Sequence, residues 1–158
     1  MISVEEALER ILAEIVPLDG YEAPLAESLG LVLTSDMIAQ EDMPPFANSA
    51  MDGFALLSKD SRPRDGQPAR LRVTGTIAAG YVAEHSLTDG TAMRIMTGAP
   101  VPPGADSVIQ VELTRSDSPQ SEWVEILQEV PPGNNIRPAG EDMRRGQTVL
   151  ARGTEIGP

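Results

Sequence analysis

Hydrophobic positions near the N-terminus recur at helical spacing. Val4, Leu8, Ile11, Leu12 and Ile15 share one stripe, with acids and small residues between them. Ser3 stands ahead of the stripe as an N-cap, and Glu6, three positions on, completes a capping box. The pattern predicts a helix ending near Val16, with Pro17 as its stop. A second helical turn or two is predicted over Leu25–Leu29, with Gly30 as C-cap, and a strand over Leu31–Ala39. The simplest place for the aliphatic stripe is a core, and the same holds for Met93, Met96 and Trp123.

Beyond Pro44-Pro45 the texture changes to short apolar runs: Phe54–Leu57, Leu71–Ala79, Thr91–Met96, Ser107–Leu113 and Trp123–Val130. Gly- and Pro-containing clusters separate them, at Arg62–Gln67, Thr88–Gly90, Gly98–Gly104 and Pro131–Asn135, with a polar cluster at Ser116–Ser121. Short strands at this spacing predict a compact β-barrel or sandwich. Asp60–Pro68 and Thr114–Ser121 are polar enough to be exposed loops. Past residue 140, Arg145-Gly146-Gln147 reads as a turn and Thr148–Ala151 as a short strand. The tail, with Gly153 and then Gly157-Pro158, reads as a chain cut at a boundary. The expected class is α+β and β-rich: a β-module at 45–139 inserted between two halves of another unit, 1–44 and 140–158.

Composition narrows the functions. The 158 residues carry 24 acids and 12 bases, a net charge of −12. Nucleic-acid binding needs clustered Lys and Arg, and here the bases are scattered. Two Tyr, two Phe and one Trp are too few for a base-stacking platform. No apolar stretch approaches the ~18 residues of a membrane span. Glu5, Glu6 and Glu9 interrupt any signal-peptide core. With no cysteine, disulfides and thiolate sites are excluded. These absences lead to the expectation of a cytoplasmic protein without membrane or nucleic-acid partners.

Candidate chemistry lies in three segments. Asn48-Ser49-Ala50-Met51-Asp52-Gly53-Phe54 sets a carboxylate before a glycine at a strand entrance, where the backbone is open to a ligand; a tight turn with Asp52 as an Asx residue is the reading local chemistry favours. Thr97-Gly98-Ala99-Pro100 offers a hydroxyl and a flexible glycine at a strand end, either an anion nest or a plain connection. In Gly133–Asp142, Arg137 suits a phosphate or carboxylate, and Glu141 and Asp142 suit a hard cation such as Mg²⁺. A solvated acidic turn is the alternative there, as it is for Glu41-Asp42. His85, the single histidine, sits in an expected loop, Glu84–Gly90, with no second His or Cys to share a metal.

Taken together these segments resemble a known family. Pro44–Ala55, Arg94–Pro102 with Gly104-Ala105-Asp106, and Gly133–Arg137 with Gly140-Glu141-Asp142 are similar, in order and separation, to signatures of the molybdopterin molybdenumtransferases (MoeA and the gephyrin E domain). Ala47 and Phe54 depart from that pattern, where polar residues and Tyr are common. The resemblance implies an enzyme that inserts molybdenum from molybdate into adenylylated molybdopterin with Mg²⁺ or another divalent cation, working as a homodimer. It implies an elongated dimerisation domain (1–44 with 140–158) and an inserted small β-barrel-like domain (45–139), the pterin-binding domain lying outside this sequence. Asp52 and Asp142 are then the candidate catalytic and metal residues, and Thr97, Ser49 and Arg137 the candidate substrate contacts. Molybdopterin adenylyltransferase or another protein of the pathway is a conceivable partner. Two further readings stay open on the residues: a non-catalytic dimerisation or interaction module, and a Mg²⁺-dependent phosphohydrolase built on Asp52 and Asp142.

Overall fold

The computed structural model describes residues 2–16, 18–118 and 120–158. Pro17, the expected helix stop, lies outside the described residues. The chain divides into two compact units, Met1–Met37 with Thr148–Pro158, and Ile38–Gln147.

In the first unit, helix α1 spans Val4–Ala13, and the Ser3 hydroxyl accepts from the Glu6 N–H at 3.1 Å, as the capping box predicts. No residue of α1 is buried: Val4 is 80% exposed and Ile11 61%. The stripe is therefore not core within this chain. A single 3₁₀ turn covers Leu25–Glu27, and Gly30 takes φ +77, a left-handed value that suits glycine. The predicted strand over Leu31–Ala39 forms only in part, because β1 is just Met37–Ile38, at the boundary of the units. Residues 30–33 instead bond to 153–156, through Gly30 N–H to Ile156 O and Leu33 N–H to Thr154 O at 2.8 and 2.9 Å. Strand β10, Thr148–Leu150, opens the second segment of this unit.

The second unit is β-rich. Its strands are β2 (Asn48–Ser49), β3 (Gly53–Leu56), β4 (Ala69–Ile77), β5 (Thr91–Ile95), β6 (Ser107–Gln110), β7 (Thr114–Arg115), β8 (Trp123–Ile126) and β9 (Ile136–Arg137). Six of them form a curled, half-barrel sheet in the order β6-β3-β5-β4-β8-β7. All its pairings are antiparallel except β4–β5, and that parallel pair needs a long crossover, which Ala78–Gly90 supplies.

Both faces of the sheet are covered near β3. Phe54 and Leu56 join Leu71, Ile109, Val124 and Ile126 in one cluster, while Ala55 joins Ile77, Met93, Ile95 and Val108 in another. This is why Gly53–Leu56 reads as a continuous apolar run: all four residues are buried. β4 covers one face only, so Ala69 and Leu71 are buried while Arg70 and Arg72 face water.

Some expectations are corrected. Trp123 and Met96 are 41% and 36% exposed and are not core, whereas Met93 is buried. Thr114–Arg115 is an edge strand and not loop, because Trp123–Ile126 offers it a free edge. Asp60 and Ser61 are buried in a 3₁₀ turn, Ser58–Ser61, and not exposed. The turn is held from elsewhere: Asp106 accepts from the Ser58 N–H and hydroxyl at 2.6 and 2.9 Å, and Ser61 Oγ accepts from the Val130 N–H at 3.0 Å.

Candidate functional site

The three candidate segments meet in the second unit. β2 pairs with β9, setting Asn48 opposite Arg137 and Ser49 opposite Ile136. Ala50 N–H reaches Asn135 O at 2.9 Å. On the other side, Ser49 N–H donates to Ala99 O and Gly98 N–H to Ser49 O, at 3.0 and 2.8 Å. Ser49 thus lies between the Thr97–Pro100 loop and the Asn135–Arg137 segment. It is 1% exposed, and its hydroxyl donates to Met51 O at 2.6 Å. That bond shapes the tight turn leading to Asp52.

Asp52 stands on the exposed end of that turn. One carboxylate oxygen, Oδ1, accepts both the backbone N–H and the hydroxyl of Thr97, each at 2.7 Å. Among the described residues nothing donates to Oδ2. The Thr97 hydroxyl first, and its N–H second, hold the Asp52 carboxyl below the ordinary carboxylate range. Gly98, at φ +78, lets the chain turn so that Thr97 presents both donors. Asp52 is therefore an ionised carboxylate, oriented from one side and open on the other.

Gly53 follows from a close approach. A Cβ there would collide with the Ile109 carbonyl oxygen and lie 3.0 Å from Gln110 Cα, so β6 can pair this closely with the start of β3 only beside a glycine. Next in β3, Phe54 is fully buried beneath Arg94, whose guanidinium lies 4.6 Å from the ring centroid.

Arg137 occupies the far side. Its Nε donates to Glu141 at 2.9 Å and a terminal nitrogen to Asp142 at 2.8 Å. The Glu141 hydrogen bond first, then the Asp142 charge, raises its pKa above the usual value. The cation that sequence pattern offers to an anion is thus paired within the chain, and it holds both acidic side chains in place. The other acidic pair is partly structural, since Asp42 accepts from the Arg145 N–H at 2.8 Å.

Two roles in these segments escape a reading of residue types. Asn134 and Asn135 side chains both donate to Val108 O, at 2.7 and 3.1 Å, and Val108 N–H donates to Asn134 O. They close the outer edge of β6, which otherwise shows unpaired backbone. The only signal was the Asn type itself: Asn135 adopts φ +52, a conformation asparagine tolerates. Asp106 is the other, anchoring the Ser58 turn from a distance no local pattern shows.

No group of three or more His, Cys, Asp or Glu among the described residues is arranged to hold a metal ion. Nor is any described helix long and apolar enough to cross a membrane.

Comparison with known proteins fixes the family. The family model described as the MoeA N-terminal region (domain I and II) matches residues 2–158. The chain belongs to the MoeA N-terminal family. A protein named molybdopterin molybdenumtransferase 2, from Mycobacterium tuberculosis, is 41% identical over 160 residues, covering 100% of this chain and 38% of that protein. The molybdopterin molybdenumtransferase of Synechococcus elongatus is 38% identical, covering 100% of this chain and 40% of its own. The crystal structure of a molybdopterin biosynthesis MoeA protein from Pyrococcus horikoshii OT3 superposes with a TM-score of 0.88 at 36% identity, over 98% of this chain and 40% of that one. The chain thus spans about two fifths of the length of these relatives.

Proposed function

We propose that this MoeA-family chain is the N-terminal region of an enzyme that inserts molybdenum from molybdate into adenylylated molybdopterin, releasing AMP. The observation that carries the reading is the meeting of three separate segments at Ser49, close in sequence to one exposed carboxylate, Asp52, that Thr97 orients. The names of the relatives supply the reaction class.

In this reading Asp52 and Asp142 orient the reacting oxyanions. Thr97 acts by fixing Asp52, because its one hydroxyl proton is committed there. Ser49 shapes the turn, and Arg137 steadies Asp142. The donor set does not enclose a cation by itself. It does suit Mg²⁺, which takes one or two carboxylates beside phosphate oxygens and water. Asp52, with one oxygen free, is the residue that would hold it, whereas Asp142 lies against Met43 and is paired with Arg137; the cation would supply positive charge next to anionic substrate oxygens.

The exposed stripe of α1 supports a homodimer, through a discontinuous domain made of 1–44 and 140–158, with 45–139 as the inserted β-domain. The same stripe favours a second reading, in which this region alone is a non-catalytic dimerisation or interaction module. A docking partner such as molybdopterin adenylyltransferase and a cytoplasmic setting belong to the proposal.

The test is Asp52→Ala in the full-length parent chain. Molybdenum insertion should fall by about 100-fold, on the scale of losing one oriented electrostatic contact, with the dimer unchanged in sedimentation. Undiminished insertion with unaltered Mg²⁺ dependence would sink the role of Asp52. Sedimentation and an insertion assay on the 158-residue chain separate the module reading: a dimer without turnover favours it.

A further inference from the structure

The outer face of the sheet is open to water where β4, β8 and β7 pair. Register places five side chains on it. Arg70 lies opposite Glu125 and Arg72 opposite Trp123, while Arg115 of β7 lies opposite Glu125 from the other side. Residues paired across strands, or two apart along one strand, share a face. Ala69, Leu71, Val124 and Ile126 alternate with them and are the buried residues, so the five stand on the solvent side.

One carboxylate here stands between two guanidiniums. Glu125 is taken by Arg115, at 3.2 Å. Arg70 instead lies over the Trp123 ring, 4.9 Å from its centroid. Among the described residues neither Arg70 nor Arg72 is in an ion pair, although the chain has 24 acids for 12 bases. Both keep their guanidinium donors for a partner. The exposed Trp123 indole offers an apolar surface beside them. Arg70, Arg115 and Trp123 line a recess of about 180 Å³, together with Ser116, Asp117 and Glu125. Three arginines against Asp117 and Glu125 leave this face positive, within a chain of net charge −12.

We propose that this face docks an acidic segment of a partner protein: one carboxylate enters the recess against Arg70, a second reaches Arg72, and an apolar side chain rests on Trp123. A guanidinium matches a carboxylate with two parallel hydrogen bonds. Trp and Arg are the residue types most enriched among those that dominate protein interfaces. The recess is smaller than the ~300 Å³ at which small-molecule pockets begin, so it takes a side chain and not a whole ligand. The rest of the surface, being acidic, repels such a segment, and that repulsion fixes where it docks.

The probe is an acetylated heptapeptide, Gly-Glu-Glu-Phe-Glu-Glu-Gly, titrated into the ¹⁵N-labelled 158-residue chain. Trp123 is the one tryptophan, so its fluorescence reports the face directly. Binding should change that fluorescence and shift amides within 114–117 and 123–125. Raising the salt to about 1 M, where the Debye length is about 3 Å, should weaken it. Arg70→Gln and Arg72→Gln should each weaken it about two- to fivefold, the range of exposed ion pairs. Both residues are exposed, so the fold is kept in either variant. The proposal is overturned if the same peptide with Lys for Glu binds as well, if the double variant Arg70→Gln, Arg72→Gln binds unchanged, if the shifts fall elsewhere, or if the peptide does not bind at millimolar concentration. An equal response to free glutamate at the same carboxylate concentration would overturn it too, because the face would then take any small anion.

Discussion

Replacing Gly53 by Ala tests whether the packing beside Asp52 is as close as the structure has it. In an ordinary strand the change would help, because Ala loses less entropy on folding, by about 0.4–1 kcal/mol. Here the added methyl would overlap the Ile109 carbonyl oxygen and sit 2.8 Å from Ile109 C and 3.0 Å from Gln110 Cα. All three are backbone atoms, so no side-chain rotation relieves the clash. β3 is bonded to β5 on one side and β6 on the other along its whole length, so it cannot slide away without breaking a ladder. Overpacking of this kind costs about 1–3 kcal/mol, and with backbone on both sides the upper end applies, which exceeds the entropic gain. With a urea slope of about 2 kcal/mol per molar, the midpoint should fall by about 1 M. Gly75→Ala is the control: its nearest neighbour would be His85 Cε1 at 3.9 Å, so its midpoint should hold or rise, by up to about 0.5 M. If Gly53→Ala is as stable as the wild type, or as the control, the close pairing of β3 and β6 at Gly53 is wrong.

Thr97→Ala should raise the Asp52 pKa toward the ordinary carboxylate value, as read by carbon NMR titration; an unchanged titration would show that the Thr97 hydroxyl does not hold Asp52. Because folding lowers that pKa, the contribution of the pair is full above the unfolded value of about 3.9 and is lost as pH falls through the lower folded value, so Thr97→Ala should be less stable than the wild type near neutral pH and match it in strong acid. Ile126→Ala, at 1% exposure in the first cluster, should cost about 2–5 kcal/mol in urea unfolding. Asp106→Ala removes both bonds to Ser58 and should cost about 1.5–3 kcal/mol, with faster amide exchange at Ser58–Ser61.

Much of the fold was legible where one local rule governed. The capping box placed α1, and the runs at Phe54–Leu57 and Thr91–Met96 became β3 and β5. Local rules failed where a distant partner decided. Asn48–Ser49 and Ile136–Arg137 carry no strand pattern and become β2 and β9 only because each offers the other an edge. Buried Asp60 and Ser61 looked like loop because their polar groups are satisfied by Gly90 and Val130, far along the chain. In the site, residue types nominated Asp52, Thr97 and Arg137. They could not show that Thr97 serves Asp52, or that Arg137 is already paired with Glu141 and Asp142.

By itself, then, the sequence determined the amphipathic helix, the β-rich texture of the larger unit, the acidic charge and the family motifs. All of these are set by composition and by periods of two and 3.6 residues, which need no partner to be read. Tertiary structure alone decided that the helix stripe stays exposed, that three motifs meet at Ser49, and that Thr97 orients the Asp52 carboxylate. Each of these depends on which distant backbone group or side chain occupies the neighbouring space, and no local pattern encodes that.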